Sequence, residues 1–386
     1  MKRLAENQLI QWMDSPRRKP LIVRGPRQVG KSWLIEKALG EKFDRVATVN
    51  LELHKDAHKH FQENLVPQRI LQALEFITGR VEPGKTLLFL DEIQACPEAI
   101  TALRYLYEGM PELHVVAAGS LLEFAFGEIS VPVGRVQYLN LCPMTFYEYL
   151  LALGKDVIAE KLLISPAELS PSIQQNILSE LKIYFLVGGM PEAIKTYRDS
   201  NSFLETFRLQ SDILDSYQQD FHKYTPRVSV ECLDTVFTAA AKSVGEQLKY
   251  THLDRDHSYK TNRKAFDLLV KAKVIHKIPS CDPSGLPLGG SGSKRFKACM
   301  LDIGLMRRLC GMDAQVELAK ESLLAMYRGR LAEQFVAQEM IAWHTRQLHY
   351  WSRGAKGSNA EVDYLTVQKG KIFPIEVKSG PAGKLR

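Results

Sequence analysis

Arg24-Gly25-Pro26-Arg27-Gln28-Val29-Gly30-Lys31-Ser32 follows the apolar run Leu21-Ile22-Val23 and precedes a helix-like run from Trp33 to Leu39. Strand, glycine loop and helix, with G-x-x-x-x-G-K-[ST] spacing, make the P-loop pattern. Glycines let the backbone wrap a phosphate with its N–H groups inward, and the helix start adds a favourable dipole. Gly25, Pro26, Arg27, Gln28, Val29, Gly30, Lys31, Ser32 and Trp33 are therefore the candidate nucleotide contacts. Lys31 would reach the β- and γ-phosphates of ATP, and the Ser32 hydroxyl would bind Mg²⁺. A glycine turn before an amphipathic helix is the plainer alternative, and the flanking strand and helix weigh against it.

A second signal completes the first. Thr86-Leu87-Leu88-Phe89-Leu90-Asp91-Glu92 is an apolar run ending in two acids. A strand apolar on both faces belongs in a parallel sheet covered by helices. Acids at its carboxyl end project into the crevice beside the phosphate loop, which is the Walker B pattern. Asp91 is assigned to the Mg²⁺ shell through water, and Glu92 to orienting or deprotonating the attacking water. Gln94, two residues on, is a further candidate contact of the nucleotide site. A lone solvated Asp-Glu pair at a strand end is common, but here it follows a good phosphate loop.

The surrounding chain alternates. Residues 3–14 read as a short amphipathic helix, Arg45–Leu53 as a strand, and Lys55–Gly79 as a helix broken near Pro67. Leu113–Ser120 is another buried-type strand with Ser120 at its polar end, and Gly134–Leu139 is the next, with Arg135 at its start. A cation there touches the γ-phosphate in cis, serves a neighbouring copy as an arginine finger, or is an ordinary surface arginine. Alternating helices and strands from 20 to 140 make an α/β layered fold with a central parallel sheet.

Composition sets wider bounds. A chain of 386 residues suggests two or three domains. With 45% hydrophobic and 25% charged residues it reads as an ordinary globular protein. No apolar run approaches the roughly 18 residues of a spanning helix, so no membrane role is expected. Met1-Lys2-Arg3-Leu4-Ala5-Glu6-Asn7 is too polar for a signal peptide. Six scattered cysteines without a C-x-x-C pair point to reduced thiols in a cytoplasmic protein. A net charge of +7 permits a polyanionic partner without requiring one. His54, His58 and His60 lack the partners of a zinc set and read as a solvated face.

Beyond Pro143 strand signals nearly vanish. Phe146–Leu151 and Ile173–Leu186 have helical spacing, Gly188-Gly189-Met190-Pro191 breaks the run, and Pro191 opens another helix. Residues 227–310 read as three helices and a two-strand hairpin, which fits a winged helix. Its last helix carries Lys260, Arg263, Lys264, Lys271 and Lys273, a face for DNA phosphates or a merely solvated one. DNA contact of that kind weakens steeply with salt.

The final segment places Glu333 on a helix and follows it with three strand-like pieces, 348–351, 361–367 and 371–378. Side chains alternate along a strand, so Glu376 and Lys378 face the same way. With Asp363 on the adjacent strand and Glu333 from the helix, three carboxylates and a lysine would converge. Hard oxygen ligands suit Mg²⁺, and the lysine would activate a water against a phosphodiester. By spacing alone D…E-x-K is a weak signal.

GPRQVGKS, LLFLDEIQ, AAGSLLEF and VGRVQYLNLCPMTFYEYL together resemble the prokaryotic AAA-type ATPases of the archaeal-ATPase-like group. YFLVGGMPEAI, KACMLDIGLMRRLCG, GRLAEQFVAQEM, AEVDYL and PIEVKSG resemble the C-terminal domain of unknown function usually joined to them. The resemblance spans nearly the whole chain. It implies ATP binding by Gly30, Lys31, Ser32 and Asp91, and a phosphate-sensing role for Ser120. It also implies a winged helix followed by a fold similar to the PD-(D/E)XK nucleases, with Glu333, Asp363, Glu376 and Lys378 at the matching positions. That fold ordinarily continues past the E-x-K strand into a helix and strand, whereas this chain stops at Arg386.

The expected plan is therefore an AAA-type ATPase domain (1–142), a helical lid or linker (143–226), a winged-helix-like domain (227–312) and an incomplete nuclease-like domain (313–386). The expected function is Mg²⁺-dependent ATP hydrolysis coupled to a DNA-binding, nuclease-like region, in a chain able to oligomerise. The alternative is a nucleotide-switched ATPase that docks a protein partner while its nuclease-like site stays idle.

Overall fold

Leu21–Arg24 (β1) is an inner strand of the N-terminal sheet, its first three side chains all buried. It pairs in parallel with His114–Gly119 (β4) on one side and Gln137–Asn140 (β5) on the other. Thr86–Asp91 (β3) and Arg45–Asn50 (β2) extend the sheet, giving the order β2-β3-β4-β1-β5, all parallel. β3 is buried from Thr86 through Leu90 and half-exposed only at Asp91, the burial expected of a strand with helices over both faces. One layer of that core brings Ile22, Val49, Leu88, Leu90 and Val115 against Ile100 and Leu103 of the helix Pro97–Gly109. That helix and Pro67–Thr78 both open on proline, whose fixed φ and missing N–H suit the first turn.

The computed structural model describes residues 1–63, 65–120, 122, 134–221, 228–290, 294–311, 321–344, 347–355 and 358–378. They fall into two compact units, Met1–Cys142 and Pro143–Arg386. The chain end beyond Lys378, on which the expected incompleteness turns, lies outside the described residues. No helix among the described residues is long and apolar enough to cross a membrane.

Several expected boundaries move. β2 ends at Asn50, where the Asn50 side chain accepts from Glu52 N and Leu53 N and turns the chain. β5 starts at Gln137 and not at Gly134, because Gly134 adopts a left-handed turn at φ +74°. The E-x-K residues Glu376 and Lys378 lie just past the last strand, which ends at Ile375.

The second unit is helical at first, with Phe146–Ala152, Pro171–Val187, Pro191–Ser200 and Phe203–Asp220. Val230–Lys242 and Tyr259–Lys271 follow, then the antiparallel pair Ile275–Pro279 (β6) and Phe296–Met300 (β9). Two short strands lie between them, Cys281–Asp282 (β7) and Gly289–Gly290 (β8), themselves paired antiparallel. The long helix Glu321–His344 leads into an antiparallel sheet of His349–Ala355 (β10), Ser358–Gln368 (β11) and Lys371–Ile375 (β12).

Two motifs far apart in sequence lock this unit together. Asp302, fully buried, accepts Gly189 N at 2.5 Å and Leu305 N at 3.0 Å, and burial pushes its carboxyl up to about 6. Gly188 takes φ +74°, and Gly304 packs so closely on it that an added Cβ would stand 3.0 Å from Gly188 Cα. A Cβ on Gly189 would meet the Met144 carbonyl oxygen at 2.2 Å. Gly189→Ala should therefore cost about 2–4 kcal/mol by overpacking against backbone. Chemical denaturation of the unit checks this against Gly285→Ala, whose Cβ meets nothing within 4 Å and which should change stability by less than about 0.5 kcal/mol.

Candidate functional site

The phosphate loop turns where its glycines require it. A side chain on Gly25 would overlap the Leu141 carbonyl oxygen at 2.2 Å, and Gly30 sits at φ +87°. Gln28 also adopts the left-handed region, at φ +61°, which a non-glycine residue enters at a cost. Lys31–Trp33 is α-helical and Leu34–Leu39 continues it with a wider turn, so the loop feeds a helix start. The exposed indole of Trp33 stands at that start.

Lys31 is buried, and its Nζ donates to the carbonyls of Pro26 at 2.7 Å and Gly25 at 3.1 Å. The ammonium is thus held inside the loop it serves. Ser32 Oγ donates to Asp91 Oδ2 at 3.0 Å, across 59 residues of sequence. The other Asp91 oxygen accepts Glu92 N at 3.0 Å. Burial raises the Asp91 carboxyl above the ordinary value, against the lowering effect of the Ser32 hydroxyl.

Glu92 follows at φ +49°, a left-handed turn that bends the chain as β3 ends. Its Oε2 accepts from the Gln94 amide nitrogen. The Gln94 side chain lies where a Cβ on Gly119 would stand, 2.1 Å from Gln94 Oε1. Ser120 is one residue beyond the rung that pairs Arg24 with Gly119, level with the loop. The Ser120 Oγ and Gln94 Oε1 atoms are buried without a hydrogen-bond partner. Unpaired buried polar atoms cost free energy, and both lie at the loop end of the sheet.

Arg135 belongs elsewhere. Gln137 pairs with Leu21 at the start of β1 and Asn140 with Arg24 at its end. At roughly 3.3 Å per residue that ladder alone separates the two ends by about 10 Å. Arg135 precedes the ladder, half-exposed, and its Nε pairs with Glu108 Oε1 at 2.8 Å. Arg135 thus lies by the amino-terminal end of β1, the end of the strand away from its own phosphate loop, and the cis contact with the γ-phosphate does not fit that placement.

One residue that the sequence reading leaves out supports the loop. Arg3 is buried, with one guanidinium nitrogen 2.8 Å from the Val29 carbonyl and the other 2.7 Å from the Cys142 carbonyl. The histidines are not a solvated face: His54, His58 and His60 are half-buried, and the first two engage the backbone carbonyls of Asn50 and Leu51.

In the second unit the expected carboxylates only partly converge. Glu333 and Asp363 meet, joined by Glu361, around a lysine from β9, Lys297. Glu376 pairs with Lys378 at 2.6 Å on the surface. Asp363 Oδ2 accepts Val377 N at 2.8 Å. Of the basic residues on the helix Tyr259–Lys271, Lys260, Arg263, Lys264 and Lys271 are exposed. Elsewhere in the unit Cys232, Asp254 and His257 gather within 4.8 Å, but the Asp254 oxygens are taken by Asp256 N and His257 Nδ1, which shape a turn.

Comparison with known proteins agrees with the first unit. Residues 17–150 match a family model described as an AAA domain. Residues 178–316 and 328–386 match two domains of unknown function, DUF8612 and DUF4143. A Walker-type ATPase of Pyrococcus abyssi shares the fold at TM-score 0.52 and 15% identity, over 80% of this chain and 95% of that one. RuvB of Thermotoga maritima, a Holliday junction branch migration motor, aligns at TM-score 0.34 and 16% identity, over 71% and 89%. None of the curated proteins matches the sequence. The chain thus carries an AAA-type P-loop ATPase domain, and it is an enzyme of that class.

Proposed function

We propose that the chain is a Mg²⁺-dependent ATPase whose nucleotide state governs what its C-terminal unit docks, and that the unit does not cut nucleic acid. The observation that carries the first half is the Ser32–Asp91 contact of 3.0 Å beside a buried Lys31. A hydroxyl and a carboxylate are hard oxygen donors, the set Mg²⁺ takes together with nucleotide phosphates. The two unpaired buried atoms, Ser120 Oγ and Gln94 Oε1, fit polar groups awaiting a phosphate or its attacking water. When bound, the ion would neutralise developing phosphate charge.

The remaining work belongs to the chain. Lys31 exchanges its loop carbonyls for phosphate oxygens, while the loop amides hold the triphosphate. Glu92, fixed by Gln94, orients the attacking water and takes its proton. Ser120 reads the γ-phosphate from the end of β4. A role for Arg135 is open only toward a neighbouring copy.

For the second half, the acids that would bind a metal in a nuclease surround the Lys297 ammonium. That favours docking over cutting. The exposed basic residues of Tyr259–Lys271 support a polyanionic partner, DNA included, held through phosphates.

The metal reading has a direct test. Asp91→Asn keeps the side-chain volume but removes the charge, and should weaken the Mg²⁺ dependence of nucleotide binding by about 10–100-fold. A fluorescent-nucleotide titration with and without Mg²⁺ measures it. An unchanged Mg²⁺ dependence in Asp91→Asn would overturn the assignment.

A further inference from the structure

Lys297 is the second residue of β9, a strand buried at every position. Alternation would send one lysine of such a strand toward solvent, yet this side chain is 1% exposed. Its Nζ stands 2.7 Å from Glu361 Oε1, 3.0 Å from Glu333 Oε2 and 3.4 Å from Asp363 Oδ1. The rings of Tyr350 and Tyr364 have their centroids 5.7 Å away on the same ammonium, close enough for cation–π attraction. Burial alone would lower the lysine pKa, but the bond to Glu361 and the charges of Glu333 and Glu361 raise it. The group stays charged.

The acids are committed in turn. Glu361 Oε2 accepts the Gln247 amide at 3.0 Å and Asp363 Oδ2 accepts Val377 N. A divalent cation in this cluster would need oxygens from Glu333 and Asp363 at about 2.0–2.6 Å from one point. The Lys297 ammonium already draws one oxygen from each. The lysine of the E-x-K pattern, Lys378, is 65% exposed and bound to its own Glu376.

We propose that Glu333, Glu361 and Asp363 form a cation site whose resident cation is the Lys297 ammonium. It takes no Mg²⁺ or Mn²⁺, and it fastens β9 to the Glu321–His344 helix and to β11. This rests on the reading of the C-terminal unit as a module that docks and does not cut, and it supplies the physical reason for that behaviour. Removing the lysine charge should turn the same acids into a divalent site.

The experiment is a Mn²⁺ titration of the full chain without nucleotide, with free Mn²⁺ followed by electron paramagnetic resonance. Wild type and Asp363→Asn should give superimposable curves. Lys297→Met, which keeps the stem and removes the charge, should gain one bound ion, and adding Asp363→Asn should abolish that gain. Mn²⁺ binding by the wild type that Asp363→Asn removes would overturn the inference, as would a folded Lys297→Met with no gain. Should Lys297→Met fail to fold, the wild-type comparison with Asp363→Asn decides alone. A parallel DNA-cleavage assay separates the two levels. Cutting by wild type that Asp363→Asn abolishes would sink the docking reading as well, whereas Mn²⁺ binding without cutting would sink only the lysine's role.

Discussion

Lys31→Ala should lower kcat for ATP hydrolysis by about 10²–10³-fold, the usual effect of deleting one charge-stabilising donor from a reacting centre. Lys31 is the cation the structure buries inside the loop, tied to the Pro26 and Gly25 carbonyls. Alanine removes both the ammonium and those two hydrogen bonds. The lost bonds bear on the loop itself, since an unpaired buried carbonyl costs about 1–3 kcal/mol. The stability of the nucleotide-free protein must therefore be measured beside the activity. The two effects separate through ligand linkage. Nucleotide at a hundredfold excess over Kd stabilises the wild type by about 2.7 kcal/mol, and in Lys31→Ala that increment should nearly vanish. A variant that folds, loses the increment and loses turnover supports the phosphate-binding role. Unchanged hydrolysis refutes it.

Nucleotide chemistry is legible in the chain because its parts are local or periodic. Gly25 to Ser32 must be contiguous, since consecutive backbone amides and one helix start do the binding. β3 announces itself by an unbroken apolar run, and its acids are placed by where that run stops. What escapes is whatever depends on register or on distant partners. Arg135 continues the β-like pattern of Gln137–Leu139, so periodicity starts the strand too soon. Only the turn at Gly134 and the pairing of Gln137 with Leu21 reveal that Arg135 lies at the end of the strands away from the loop. Arg3 acts on carbonyls 26 and 139 residues away, and no spacing rule connects them.

Lys297 shows the same limit in the second unit. Its acids lie 36 and 66 residues further on, and a lysine in a strand is ordinarily read as facing water. Carboxylate spacing suggested a metal site; the third dimension brings an ammonium into it. The motifs around Gly189 and Asp302 are legible as motifs but silent about purpose. The structure explains them by packing: bare Cα atoms allow Gly188 and Gly304 to touch, and Asp302 caps two chain turns at once.

Glu92→Gln should give the opposite signature to Lys31→Ala. Glutamine has the same length and tolerates the φ of +49° at this position no worse than glutamate. Its amide oxygen can still accept from Gln94, which now holds Glu92 Oε2, so the local turn persists. What disappears is the negative charge and with it the ability to take a proton from water. General-base removal of this kind costs about 10²–10⁴-fold. Nucleotide affinity, set by the loop amides, Lys31 and Ser32, should remain within about threefold, since uniform binding does not require the base. A fluorescent-nucleotide titration reads the affinity, and a single-turnover experiment reads the chemical step free of product release. Retained turnover would show that another group positions the water, and Gln94 with its unpaired Oε1 is the neighbour to replace next. Loss of binding would instead mean that the bend after β3 had failed. The change would then appear in the thermal midpoint of the nucleotide-free protein and not in the single-turnover rate alone.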